Sequence, residues 1–351
     1  MTRPGLFVRL LLTLAAPAAP LVACGAASSV AQETPVVSHQ ARDPLVDALT
    51  ELAARTNGSL GACITSERGT SCVNGDRAYS MQSVMKLLVA LVTFDAVERG
   101  LLRLDEPVLV RREDLSLYVQ PIARLVGDAG YRTKVEDLIR RAVVDSDSAA
   151  TDILIRRLGG TAAVQSVLRR MRIEDIRIDR NERDLQTEIV GLTWRPEYTD
   201  ASTLQRAIAA VPQEQRRVAH QRYLSDPRDT ATPRGMAQLL HRLARGELLP
   251  QASTERLLAI LRETRTFPSR LRAGAPEGWA VGHKTGSSGS FQGHVAATND
   301  VGLYFPPDAA PIAIAVFLGD SSAAGGERDA AIAAVGRLAV ADFRRRAGML
   351  P

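Results

Sequence analysis

The stretch MQSVMK, residues 81–86, places a lysine where this chain otherwise writes arginine. Of its 44 basic residues only Lys86, Lys134 and Lys284 are lysine. An exposed face or a surface ion pair accepts Arg equally well. Arg keeps its charge at every working pH, whereas Lys loses its proton when its surroundings depress its pKa. A rare Lys three residues after Ser83 therefore points to a tunable amine. A long apolar run follows and closes at Gly100, so 81–100 reads as a helix buried on most sides with Ser83 at its start. On a helix, positions i and i+3 share a face, so the amine reaches the hydroxyl. The helix N-terminus favours negative charge developing there. A serine becomes a strong nucleophile once a neighbouring base takes its proton.

Two more short runs suit the same chemistry. Ser146-Asp147-Ser148 interrupts the helical pattern KVEDLIRRAVVDSDSAATDILIRRLGG (134–160), and a hydroxyl there can pass a proton to a leaving group. Taken alone, the run also reads as an ordinary helix cap before AATDILI. WAVGHKTG (279–286) reads as a strand ending in Lys284-Thr285-Gly286. Lys offers charge, Thr a hydroxyl, and Gly leaves room for a ligand beside the strand edge.

The 351 residues are 45% apolar, which suits a soluble globular protein with a sizeable core. The net charge of +5 is spread over both signs. RRVAHQR (216–222) and FRRRAG (343–348) read as solvated helix faces without interleaved aromatics, so nucleic-acid binding is not expected. His39, His220, His241, His283 and His294 lack metal-ligand spacing, so no metal and no cofactor is expected.

Arg3 and Arg9 flank the start of an apolar stretch too short to span a membrane and suited to a secretory signal. It ends in LVAC (21–24), which resembles a lipobox with Cys24 as the lipidated residue; cleavage after Ala31 is the alternative. Removing 1–24 takes away two Arg and no acid, giving 5 − 2 = +3. Cys63 and Cys72 lie in two β-like runs around a turn, either bonded across a hairpin or packed as free thiols. The expected organisation is a signal peptide (1–24), a tether (25–42), an α/β domain (43–105 and 255–351) and a helical domain (106–254) that includes the loop 180–200. The expected fold class is α/β (α+β), with an antiparallel sheet built from both chain ends, flanking helices and an inserted all-helical domain.

S-x-x-K, S-D-N and K-T-G are shared by class A β-lactamases and penicillin-binding proteins. All three runs occur here in order, with Ser148 in place of Asn. Over most of residues 43–346 the chain resembles a class A serine β-lactamase. The resemblance implies a β-lactamase/transpeptidase-like fold and hydrolysis of the β-lactam amide through a serine acyl-enzyme. It implies Ser83 as nucleophile, Lys86 or else Glu182 through a water as its base, Ser146 as proton donor to the leaving nitrogen and Lys284 as the group that tunes it. RNERDLQ (180–186) matches the family's R-x-E-x-x-x-N loop through Arg180 and Glu182. Glu182 matches the deacylating Glu. Gln186 replaces an Asn that helps hold the water, and its longer arm is expected to shift that water.

By the same resemblance, the backbone N–H groups of Ser83 and Ser287 form an oxyanion hole. Thr285 and Ser287 bind the β-lactam carboxylate beside Gly286. Arg270 matches a carboxylate-binding position of some members, and Tyr118 forms a pocket wall. Thirty-nine residues separate Gln186 from Asp226, a longer connection than most members have, with helix-like inserts expected to reshape the pocket rim. The implied partner is a small β-lactam, met by a monomer that is periplasmic or lipid-anchored. Two other readings stay open: a D-alanyl-D-alanine carboxypeptidase and a non-hydrolytic β-lactam-binding lipoprotein.

Overall fold

A computed structural model describes residues 43–348. The expected signal peptide, tether and Cys24 lie outside the described residues. Asp43 caps α1 (Pro44–Arg55), accepting a hydrogen bond from the Leu45 N–H at 3.0 Å. The hairpin β1 (Ser59–Ser66) and β2 (Gly69–Val73) follows, with Cys63 opposite Cys72 and their sulfurs bonded. β3 (Tyr79–Ser80) runs into a 3₁₀ turn, Gln82–Val84, and then α2 (Met85–Glu98). Residues 85–96 of α2 are all buried, as an all-round apolar helix must be, and Lys86 is buried among them.

The middle of the chain is mostly helical but opens with a small hairpin, β4 (Pro107–Val110) and β5 (Tyr131–Lys134), absent from the sequence reading. α3 (Val135–Val144) and α4 (Ser148–Arg157) flank the Ser-Asp-Ser break, and α5 (Thr161–Arg170) follows. The segment 180–200, expected as a loop, contains α6 (Glu182–Glu188). Asn181 nucleates it by accepting from the Asp184 N–H at 2.9 Å. α7 (Ala201–Ala210) and α8 (Gln213–Leu224) fill the long connection. β6 (Thr230–Ala231) pairs with β3, and α9 (Pro233–Ala244), α10 (Gln251–Glu263) and α11 (Leu271–Gly274) follow.

β7 (Ala280–Ser287), β8 (Ser290–Phe291), β9 (His294–Phe305), β10 (Ile312–Ser321) and α12 (Gly325–Arg346) complete the chain. The main sheet is antiparallel in the order β2-β1-β10-β9-β7, so the two chain ends interleave. The period of two in β10 builds two cores. Ala313, Ala315 and Phe317 pack toward α2, α9 and α10, while Ile312, Ile314, Val316 and Leu318 pack toward α1 and α12. This mixed α/β architecture agrees with the expected fold class.

Candidate active site

The sheet holds the start of α2 from beneath. Asn299 on β9 donates its amide to the carbonyls of Ser80 and Met81, at 2.8 and 3.1 Å. Asn299 pairs with Gly286 on β7. A Cβ on Gly286 would lie 2.5 Å from the Met81 carbonyl and 3.2 Å from the Ser83 nitrogen. The glycine thus makes room for the chain that carries Ser83, not for a ligand as its sequence suggested. Gly286→Ala should push that chain aside and lower kcat by about 10²-fold, a loss typical of roughly 1 Å of misplacement. Steady-state kinetics beside a melting curve would show the two effects separately; unchanged kcat would contradict the role.

Three non-glycine residues with left-handed backbone frame the cleft: Gln82 before Ser83, Tyr118, and Ser146 (φ 49°, 57° and 57°). Such strain persists only where surrounding contacts over-determine it, and it gathers at functional sites. Here Asp147 accepts from the Ala150 N–H at 2.9 Å and the Ile122 N–H at 2.7 Å. The Ser148 N–H donates to the Val119 carbonyl at 2.8 Å. The Ser-Asp-Ser turn is thereby locked to the loop that presents Tyr118.

Lys86 donates to the Ser146 carbonyl at 2.6 Å and to the Ser148 Oγ at 3.1 Å. Its Nζ lies 3.4 Å from Glu182 Oε1, and both side chains are buried. Ser148 donates onward to Glu182 Oε2 at 3.4 Å. Glu182 Oε1 has no aligned hydrogen-bond donor among the described residues, which leaves it an available acceptor. Gln186 donates to Gln82 at 2.9 Å and to Glu182 Oε2 at 3.4 Å. Asp152 fixes α6 from below, accepting from the Glu182 N–H at 2.8 Å. Burial, and then the Glu182 charge, push its carboxyl up to about 7. Arg180 closes the base of the loop against Asp229, Nε to carboxylate at 2.6 Å.

Lys284 donates to Ser146 Oγ at 3.0 Å, so two buried amines share one hydroxyl, Lys86 standing 3.4 Å away. Burial, and then the Lys86 charge, hold Lys284 down at about 7, against 10.5 for a free amine. Between those values the folded chain binds fewer protons than the unfolded chain, so this group makes stability rise with pH across that window. Lys284→Met should flatten the climb of melting temperature between about pH 7 and pH 10. Parallel curves for the two proteins would contradict the assignment.

Ser83, Tyr118, Ser148, Glu182, Gln186 and Ser287 all line one cleft of ≈ 250 Å³. Thr285 does not line it; its hydroxyl meets that of Thr266 at 2.7 Å. Arg270 is buried behind the strand. It pairs with Asp329 at 2.7 Å and donates to Ser287 Oγ at 2.9 Å, so it reaches the cleft only through Ser287. The sequence reading missed the far wall: Arg216, His220 and Tyr223 of α8, with Phe291 of β8. RRVAHQR had read as a solvated face because α8 carries no apolar stripe.

A family model described as the beta-lactamase enzyme family matches residues 44–343. The chain belongs to the beta-lactamase enzyme family. Beta-lactamase VEB-1 of Pseudomonas aeruginosa is 28% identical over 292 residues, 82% of this chain and 86% of that protein. Extended-spectrum beta-lactamase PER-1 of Pseudomonas aeruginosa is 29% identical over 268 residues, 76% of each. The solved structure of an ancestral (GNCA) class A beta-lactamase is 34% identical with a TM-score of 0.68, covering 85% of this chain and all of that one. In this β-lactamase the family's two usual asparagines give way to Ser148 and Gln186, and both substitutes still contact Glu182.

Proposed function

We propose that this chain is a serine β-lactamase that opens the β-lactam amide bond through an acyl-enzyme on Ser83, conferring antibiotic resistance. Ser83 attacks the lactam carbonyl. The coupled base of Lys86 and Glu182 takes the hydroxyl proton, directly at the amine or through water at the carboxylate. Backbone N–H groups of Ser83 and Ser287 stabilise the oxyanion. Ser146, held between Lys86 and Lys284, passes a proton to the departing lactam nitrogen. Glu182 then activates water to release the acid and restore Ser83. Ser287, on the cleft wall, receives the substrate carboxylate, with Arg270 orienting it from behind and Thr285, turned to Thr266, supporting the strand beside it. Tyr118 and Gln186 shape the walls.

One observation carries this reading: the amine of the S-x-x-K pair lies 3.4 Å from the carboxylate of Glu182, on the wall of the cleft that Ser83 lines. A peptidase or a binding protein has no need of a carboxylate there. The reading extends to an exported, monomeric protein in which 1–24 is a lipoprotein-type signal, 25–42 a tether and Cys24 the lipid attachment. Among the described residues no helix is long and apolar enough to cross a membrane. The halves 43–105 with 255–351 and 106–254 act as two domains with the catalytic cleft in their seam. The test is peptide mapping after brief exposure to a β-lactam. In the Glu182→Gln variant, where release should stall, the adduct mass is expected on the peptide bearing Ser83; an adduct elsewhere, or none in that variant, counts against the mechanism.

A further inference from the structure

The connection 187–225 ends in α8, which turns Arg216, His220 and Tyr223 into the cleft. Tyr223 is fully engaged, its hydroxyl meeting Ser80 and Gln82. Arg216 and His220 are not. Arg217 pairs with Glu214, and Arg228 with Asp226 and Glu188. Among the described residues no carboxylate pairs with Arg216; its guanidinium lies 5.2 Å from the centre of the Phe291 ring. His220 lies 5.5 Å from the same ring, and its Nε2 is buried with no hydrogen-bond partner. Burial lowers the His220 pKa and so favours its neutral form. Asp320, whose charge opposes that lowering, is taken by His294 at 3.1 Å.

A cation, a ring face and an unpartnered imidazole thus converge beyond the end of the K-T-G strand. They line the cleft together with Ser83, whereas Thr285 and Arg270, which belong to the proposed reading of the ring carboxylate, do not line it. An acyl side chain leaves the lactam on the opposite side from that carboxylate. A guanidinium takes a carboxylate through paired hydrogen bonds, and aromatic rings stack offset.

We infer that Arg216, Phe291 and His220 form a subsite for a β-lactam acyl side chain that carries both an aryl group and a carboxylate. The subsite rests on the β-lactamase reading above. Phe291 takes the aryl ring, Arg216 the carboxylate, and His220 Nε2 a remaining polar atom of the side chain. Because Arg216 is only half-buried, the gain is modest and screened by salt.

The test uses benzylpenicillin and its α-carboxy derivative, which differ by one carboxylate on the acyl side chain. The wild-type chain, Arg216→Gln and Arg216→Lys are compared by steady-state kinetics. The kcat/KM ratio of the α-carboxy substrate to benzylpenicillin is expected to fall about tenfold in Arg216→Gln, through KM, and to stay within about threefold in Arg216→Lys. Added salt should erode the wild-type ratio and leave that of Arg216→Gln flat. An unchanged ratio in Arg216→Gln, with benzylpenicillin still turned over, overturns the subsite alone. No turnover of either substrate by the wild-type chain overturns the underlying reading and the subsite with it.

Discussion

Replacing Ser83 with alanine should lower kcat/KM on a chromogenic cephalosporin by at least about 10⁴-fold and abolish the covalent adduct. The base network of Lys86, Ser148 and Glu182 would remain intact, since these contacts do not run through the Ser83 hydroxyl. It would have no nucleophile to deprotonate. Ser83 is only half-buried, so the loss of one oxygen should cost little stability, about 1 kcal/mol or less. Loss of activity with an unshifted melting curve separates a missing nucleophile from a misfolded protein. Retention of even a hundredth of wild-type activity would move the nucleophile elsewhere.

Replacing Glu182 with glutamine should give a different failure. The amide keeps the shape and the contacts with Ser148 and Gln186 but cannot take a proton. General-base catalysis of this kind contributes about 10²–10⁴-fold, so deacylation should slow by that order. Lys86 still stands beside Ser146, so acylation should continue. The expected record is a burst of one equivalent, then a stalled acyl-enzyme visible as an added substrate mass on the intact protein. Rapid steady turnover by Glu182→Gln would remove the carboxylate from its proposed role.

The residues gathered around the cleft were legible in sequence because a chain that otherwise writes Arg makes Lys86 and Lys284 conspicuous, and both lie in short runs beside a hydroxyl. Of the strands, β10 was legible from a near-continuous apolar run, residues 312–318, whereas β7 and β9 carry the buried polar residues Lys284, Thr285, Asn299 and Asp300 within shorter apolar stretches. Other features rest on contacts that no local pattern encodes. α6 is seven residues long, too short for a period, although Asn181 with Asp184 three residues on is a readable start signal. α8 is charged on all sides, so nothing in its spacing says which face meets the cleft. Gly286 looked like space for a ligand, but the segment that fills that space, residues 81–84, lies far earlier in the chain. Arg270 matched a carboxylate-binding position, but its place behind the strand depends on Asp329 on α12, 59 residues further on.

The central claim is that the buried network of Lys86 and Glu182 both loads and empties Ser83, with Glu182 required for the emptying. Its most direct test is hydrolysis of a chromogenic cephalosporin by the purified full chain, with substrate in large excess and product counted per protein. The account predicts many turnovers per chain at a steady rate. A single stoichiometric burst followed by silence would contradict it, leaving a protein that acylates without deacylating, as a peptidase or a β-lactam-binding protein does.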